Sequence, residues 1–217
     1  MDGSQRHIAI FIYALTGGGA QRRTLTLVNA FASRGHRVDL VVVRSDGELN
    51  HQLSPAVRLV GLDSGWGRLL PFVSRWIPKR GMRTAASTLA LSRYLRRVRP
   101  DVIMSAASHV NLVSVLARRL ARVRVPLVLR ANNHPSGNSK LWPATARPIR
   151  AFLRWLAGRV YPWADALIAV SVGVAEEIAQ LTGLSRKTIT TIYNPTVTAD
   201  LSDKAGARVD HPWLAAG

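Results

Sequence analysis

The sequence predicts an α/β fold: a doubly wound, mostly parallel sheet with helices on both faces. Three observations carry this expectation. Short apolar, β-rich runs recur along the 217 residues. Several lack alternation, as Val41-Val42-Val43 does, and strands covered on both faces read this way. Helical patterns lie between the runs, and such repeated alternation belongs to parallel sheets.

The first run, His7–Tyr13, leads into Gly17-Gly18-Gly19, and a helical pattern opens at Ala20-Gln21-Arg22. Glycines let a ligand approach the main chain and reach positive φ without strain. A helix start adds unpaired N–H groups and the positive end of a dipole. The point just past the first strand is also where open parallel sheets bind ligands. The helix expected over Ala20–Arg34 places Ala20, Thr24, Leu27, Val28 and Phe31 on one face, and Gly35 stops it. Further strands are expected at Val38–Val43, Val57–Gly61, Asp101–Ser105, Val125–Arg130, Ala166–Ser171 and Thr188–Tyr193. Further helices are expected at Thr84–Val98, Val110–Ala121, Ile149–Tyr161 and Val172–Thr182, with stops at Arg99-Pro100 and Gly183.

Two stretches break the alternation. Gly65–Gly81 interleaves Trp66, Phe72 and Trp76 with Arg68, Arg75, Lys79 and Arg80. Asn132–Pro148 is rich in Asn and Pro and reads as a long loop, a type that is often functional. From Pro195 onward the periodicity fades.

Thirty Lys and Arg against twelve Asp and Glu give a formal net charge of +18. Such a charge speaks of partners rather than fold. It fits nucleic acid, an anionic membrane or an anionic substrate, and equally an Arg-rich solvated surface. No cysteine is present, which excludes disulfides and thiolate metal sites. No apolar run reaches the ~18 residues of a membrane span. The six histidines lack ligand spacing, so no metal site is expected.

Four segments in this order resemble a known family. Gly17-Gly18-Gly19-Ala20-Gln21-Arg22 is similar to the glycine-rich loop of family 4 glycosyltransferases of the GT-B fold. Arg34-Gly35-His36-Arg37-Val38 resembles that family's step from helix to second strand. Ala164-Asp165-Ala166-Leu167-Ile168-Ala169-Val170-Ser171 resembles a late strand and helix start of its N-terminal domain. Ile192-Tyr193-Asn194-Pro195 resembles the exit from that domain. The resemblance implies an N-terminal, Rossmann-like half of a GT-B enzyme over residues 1–195. Residues 196–217 would then be a linker or the start of a C-terminal donor-binding domain. Such a half alone is expected to be inactive.

The resemblance also implies chemistry. A retaining, metal-independent hexosyl transfer is expected, from a nucleotide sugar to a cell-envelope glycan or lipid-linked acceptor. No cofactor is needed beyond the donor. Gly17, Gly18, Gly19 and Arg22 are the first candidate substrate-binding residues, against the alternative of a tight turn kept for packing. Arg130-Ala131-Asn132-Asn133-His134 supplies the second group. Arg130 is a binding residue there, and Asn132, Asn133 and His134 are the candidates nearest the reacting sugar. The family often presents His or Arg at this strand end. Because the leaving phosphate can take the acceptor proton, positioning and charge stabilisation suffice here. The alternative is an Asn-rich turn. His109 and Asn111 follow the fourth strand at a helix start, from which polar side chains can reach the cleft; the alternative is a capping turn with Ser108 as N-cap. Asn194 completes the binding set.

Trp66, Phe72, Arg75, Trp76, Lys79 and Arg80 form a candidate membrane-docking segment, since aromatics favour the lipid interface and cations meet anionic headgroups. The expected place is the cytoplasm, peripheral on the inner face of the membrane. The competing reading is a basic, non-catalytic module that binds sugar, nucleotide or nucleic acid. No helix-turn-helix, RNP or zinc-finger pattern supports the nucleic-acid version.

Overall fold

The computed structural model describes residues 4–62, 79–132, 147–195 and 206; the side chains of residues 79–85, 108, 109, 147–150 and 153 are not described. Seven strands form one sheet: β1 His7–Ile12, β2 Arg37–Val42, β3 Val57–Gly61, β4 Val102–Ala106, β5 Leu127–Ala131, β6 Ala166–Ala169 and β7 Ile189–Thr191. Their order is β3-β2-β1-β4-β5-β6-β7, and every pairing is parallel. Five α-helices accompany them: α1 Gly19–Ser33, α2 Lys79–Val98, α3 Ser108–Ala121, α4 Arg147–Val160 and α5 Val172–Thr182.

The pleat divides the core in two. Ile10 and Ile12 of β1 pack with Leu25 and Val28 of α1, together with Leu40 and Val42 of β2. Their neighbours Ala9 and Phe11 join Leu91 and Leu95 of α2, Val110 of α3 and Ile178 of α5 on the other side. Period-two alternation of this kind sends consecutive residues to opposite faces. The predicted two-sided, doubly wound sheet is therefore the observed one.

Some boundaries differ for physical reasons. The fifth strand begins at Leu127 rather than Val125, because Pro126 has no N–H for a ladder. The sixth ends at Ala169, since Ser171 turns out to cap α5, accepting a bond from the Val174 amide at 3.3 Å. The second long helix starts at Lys79, a turn ahead of the expected Thr84. Lys79 and Arg80 are thus backbone members of α2, not of a loop; Lys, Arg and Met are good helix formers and carry the pattern through Gly81. Ser108 is not the N-cap of α3. Ala107 holds that position with no side-chain cap, and Ser108 is the first helical residue.

Helix ends also differ in kind. Gly35 and Gly183 take positive φ, +82° and +72°, just past α1 and α5, as expected. Arg99 and Arg122 take the same left-handed region at the ends of α2 and α3, with φ of 46° and 52°. Gly17, Gly18 and Gly19 do not use positive φ; Gly18 is extended, at φ −79° and ψ 159°. Their value lies in the absence of a side chain, not in an unusual backbone.

Among the described residues, no helix is long and apolar enough to cross a membrane.

Candidate active site at the carboxyl edge of the sheet

Every strand points the same way, so the segments following β1, β4, β5, β6 and β7 emerge on one edge. The strand order reverses between β1 and β4, which are paired directly. A crevice at such a switch point is where open α/β sheets hold ligands.

Residues 16–19 lie exposed at this edge. Gly18 precedes α1 without a side-chain cap. The first α1-type bond runs from the Arg22 amide to the Gly18 carbonyl at 3.0 Å. Ahead of that bond the Gly18 amide donates to the Thr16 carbonyl, and the amides of the first helical turn have no partner within the helix. A Cβ added at Gly19 would meet nothing within 4 Å, whereas one at Gly17 would sit 3.2 Å from Glu48 Oε2. Arg22 folds back, its Nε donating to the Gly17 carbonyl at 3.4 Å. At Gly18 an added Cβ would lie 2.5 Å from Gln21 Oε1, so the turn is open at Gly19, with one cation laid along it.

Register decides which polar residues join it. Phe11 pairs with Ser105, and Ala106 pairs with Arg130. Counting by two, Ala106, Arg130 and Asn132 share the sheet face of Ile10 and Ile12, which is the α1 face. Ser105 falls on the opposite face, under α3.

Arg130 is 4% exposed, a guanidinium held in the interior. Its Nη2 donates to Asn194 Oδ1, while Nη1 is buried without a partner. Burial depresses the Arg130 pKa, because the charged form loses solvation there. No ion pair to Arg130 exists among the described residues. Asn132 donates from Nδ2 to the Ala106 carbonyl at 3.1 Å, which fixes the amide's orientation and leaves Oδ1 buried and unpartnered. The exit segment after β7 closes over this group. Besides Asn194 on Arg130, the Pro195 carbonyl accepts from Arg23 Nη1 of α1 at 2.7 Å.

The structure thus brings Gly17, Gly18, Gly19, Arg22, Arg130, Asn132 and Asn194 to one edge. It places Asn111 elsewhere. Asn111 is fully buried on the α3 side, accepting from Ser105 Oγ at 2.7 Å and donating to the Arg130 carbonyl at 3.2 Å. The expectation that it reaches the cleft is corrected: it ties the end of β4 to the end of β5 from behind. Asn133, His134, Trp66, Phe72, Arg75 and Trp76 lie outside the described residues. So do the side chains of His109, Lys79 and Arg80. Among the described residues, no group of three or more His, Cys, Asp or Glu could hold a metal ion.

An exposed helix start and a buried, half-satisfied guanidinium on one face make an environment for an anion with several oxygens. A family model for glycosyltransferase family 4 matches residues 17–200, from the glycine turn past the exit segment. The chain belongs to glycosyltransferase family 4.

Solved structures agree on the fold. The family 4 chain is similar to the lipopolysaccharide outer core galactosyltransferase WaaB, with a TM-score of 0.60 and 17% identity. That alignment covers 88% of this chain and 46% of WaaB. Anabaena HepE in complex with UDP and glucose gives 0.57 and 18%, covering 88% and 44%. A UDP-N-acetylglucosamine 2-epimerase from Rickettsia bellii gives 0.58 and 10%, covering 88% and 45%. At these identities the likeness is one of fold, and an epimerase scores as high as a transferase. The chain spans a little under half the length of each. Comparison with curated proteins found no match.

Two residues of this edge escaped the sequence. Arg23 gives no signal, since only the fold shows that α1 faces the exit segment. Glu48 sits beside Gly17 because Gly47 lets its loop approach; a Cβ there would lie 2.8 Å from the Leu15 carbonyl. The closely spaced Gly47 was the available sign.

Proposed function

We propose that this chain is the acceptor-side half of a retaining, metal-independent glycosyltransferase. It moves a hexosyl group from a nucleotide sugar to a cell-envelope glycan or lipid-linked acceptor at the cytoplasmic face of the membrane. Family membership supports the reaction class, and HepE, solved with UDP and glucose, supports a nucleotide-sugar donor. The single observation that carries the site is the open helix start at Gly19 on the same edge as the unpartnered Nη1 of Arg130.

In this reading the amide of Gly19 and the Arg130 guanidinium face the donor phosphates. They stabilise the negative charge that grows on the leaving group. Asn132 Oδ1 accepts from a sugar or acceptor hydroxyl and positions it. Asn133 and His134, next in the sequence, belong to the same proposal, as does His109 at the start of α3. Arg22 meets an anionic group of the acceptor. The leaving phosphate takes the acceptor proton, so no side chain needs to act as base. A C-terminal domain following about residue 195 supplies the rest of the donor site.

The test is a thermal-shift screen of the protein expressed from its whole reading frame against UDP-, GDP-, ADP- and dTDP-sugars, followed by product analysis. Ligands that bind the folded state raise its melting temperature. One nucleotide class is expected to do so. Gly19→Val fills space that is free in the unliganded protein, so it should fold normally and lose that response. A panel without any response, or an unchanged response in Gly19→Val, would overturn the reading. Binding without transfer would instead favour a non-catalytic nucleotide-sugar module.

A further inference from the structure

The two largest exposed apolar side chains on α4 stand together. Phe152 is 55% exposed and Trp155 56%, and their rings stack with centroids 5.9 Å apart. Arg159 lies over Trp155, 5.5 Å from its ring centroid. The residues at 152, 155 and 159 follow helical spacing, so they form one stripe. Leu156, which borders the stripe, and Ala157 pack against the core.

A further exposed ring follows α4. Trp163, 41% exposed, sits in the 3-10 turn that follows, with Arg119 of α3 stacked 4.1 Å from its ring. Arg118 fixes that turn by donating to the Trp163 carbonyl and pairing with Asp165. Leu116 and Leu120, one turn apart on α3, are exposed as well. An apolar, partly aromatic surface of this kind on a soluble face marks an interaction site.

Charge selects the partner. Residues 108–124 and 147–163 together contain eight arginines and no Asp or Glu. Aromatic rings ringed by arginine suit a lipid interface with anionic headgroups. Stacked rings can also hold single-stranded bases, but such sites are grooves that track a backbone. Here the rings project from a helix, and Leu116 and Leu120 gain nothing from sugar and phosphate while hydrocarbon accepts them.

We propose that the α4 stripe of Phe152 and Trp155, extended by Trp163 and Leu120, docks the protein on an anionic membrane leaflet. The surface stands on geometry of its own; the choice of a membrane rests in part on the lipid-linked acceptor proposed above. It places docking on α4 and α3, apart from the segment 65–81 singled out by composition.

The experiment is co-sedimentation of the intact protein with phosphatidylcholine vesicles, with and without phosphatidylglycerol, at physiological salt. Binding is expected only when phosphatidylglycerol is present. Phe152→Ser with Trp155→Ser should weaken it about tenfold or more, by removing buried ring area. Arg154→Gln with Arg159→Gln should weaken it by about fivefold per charge. All four sites are exposed, so melting temperature and nucleotide-sugar response should not move; that response reports separately on the proposed transferase site. Equal partition of wild type and the Phe152/Trp155 variant would overturn the proposal. So would stronger retention of DNA than of vesicles at the same salt. A dimer that the double variant dissolves, with no vesicle binding by the wild type, would overturn it too.

Discussion

A buried arginine without a carboxylate is costly, and Arg130 is such a residue. Its neutral partner Asn194 satisfies one nitrogen and leaves another bare. Moving a cation out of water costs several kcal/mol unless a counter-charge restores it. An apolar side chain of similar length removes that cost. Arg130→Met is therefore expected to leave stability unchanged or raise it by about 1–2 kcal/mol, while abolishing the thermal response to nucleotide sugar. Chemical denaturation with and without ligand reads both effects. Loss of stability would mean that Arg130 serves packing. Asp39 is the opposite case. It is fully buried, yet Arg58 Nη2 reaches it at 2.5 Å, Tyr94 Oη at 2.6 Å and His7 Nε2 at 3.0 Å. Burial pushes its carboxyl up, but the bonds from Arg58 and Tyr94, with the His7 ring close beside it, together outweigh this and hold it below the ordinary value. Because the folded pKa is the lower one, Asp39 stabilises the fold fully above about pH 4 and ceases to as pH falls through its folded value. Asp39→Asn should cost roughly 2 kcal/mol at neutral pH, moderated by the half-exposed Arg58. The gap to wild type should shrink below about pH 4. Parallel loss at every pH would place the defect in packing instead.

At the scale of elements, helix ends are where the chain departs from the simplest chemistry. Arg122 occupies a left-handed position at φ 52°, which costs a residue with a Cβ about 1 kcal/mol. Arg122→Gly should raise stability by about 0.5–1 kcal/mol, seen as about 2–4 °C in melting temperature. A fall would show that the Arg122 side chain makes contacts worth more than the strain. The same elements mark what could be read in advance. Strand order along the chain, helix order and the stops at Gly35 and Gly183 were legible, because apolar period and glycine chirality are local. So was the concentration of polar candidates after β1 and β5. Their partition was not. Asn111 and Asn132 both follow strands and look alike in sequence. The register Ala106↔Arg130 sends Asn132 to the α1 face, whereas Asn111, in the first turn of α3, turns inward to Ser105 and the Arg130 carbonyl. Left-handed arginines were equally invisible, since their position is set by where β4 and β5 must begin. Arg23 and Pro195 meet across 172 positions, a closeness only the folded sheet creates.

For the whole molecule, charge is the dominant unbalanced quantity. A net charge of +18 on 217 residues sets cations against one another across the surface. Few acids relieve it: twelve Asp and Glu stand against thirty Lys and Arg, with Asp39, Asp46 and Asp165 among those that pair. Self-repulsion of this kind opposes the compact state, and salt screens it over about 10 Å at 0.1 M. Raising KCl from low to moderate concentration should therefore stabilise the protein, by about 2–4 °C or on the order of 1 kcal/mol. If screening alone acts, chloride and a divalent anion should agree at equal ionic strength. A nucleoside diphosphate should exceed both, because it adds occupation of the edge where Arg130 waits for a counter-charge. A melting temperature that falls with KCl would show that favourable pairs outweigh repulsion. Equal effects of all anions at matched ionic strength would remove the anion site from the carboxyl edge.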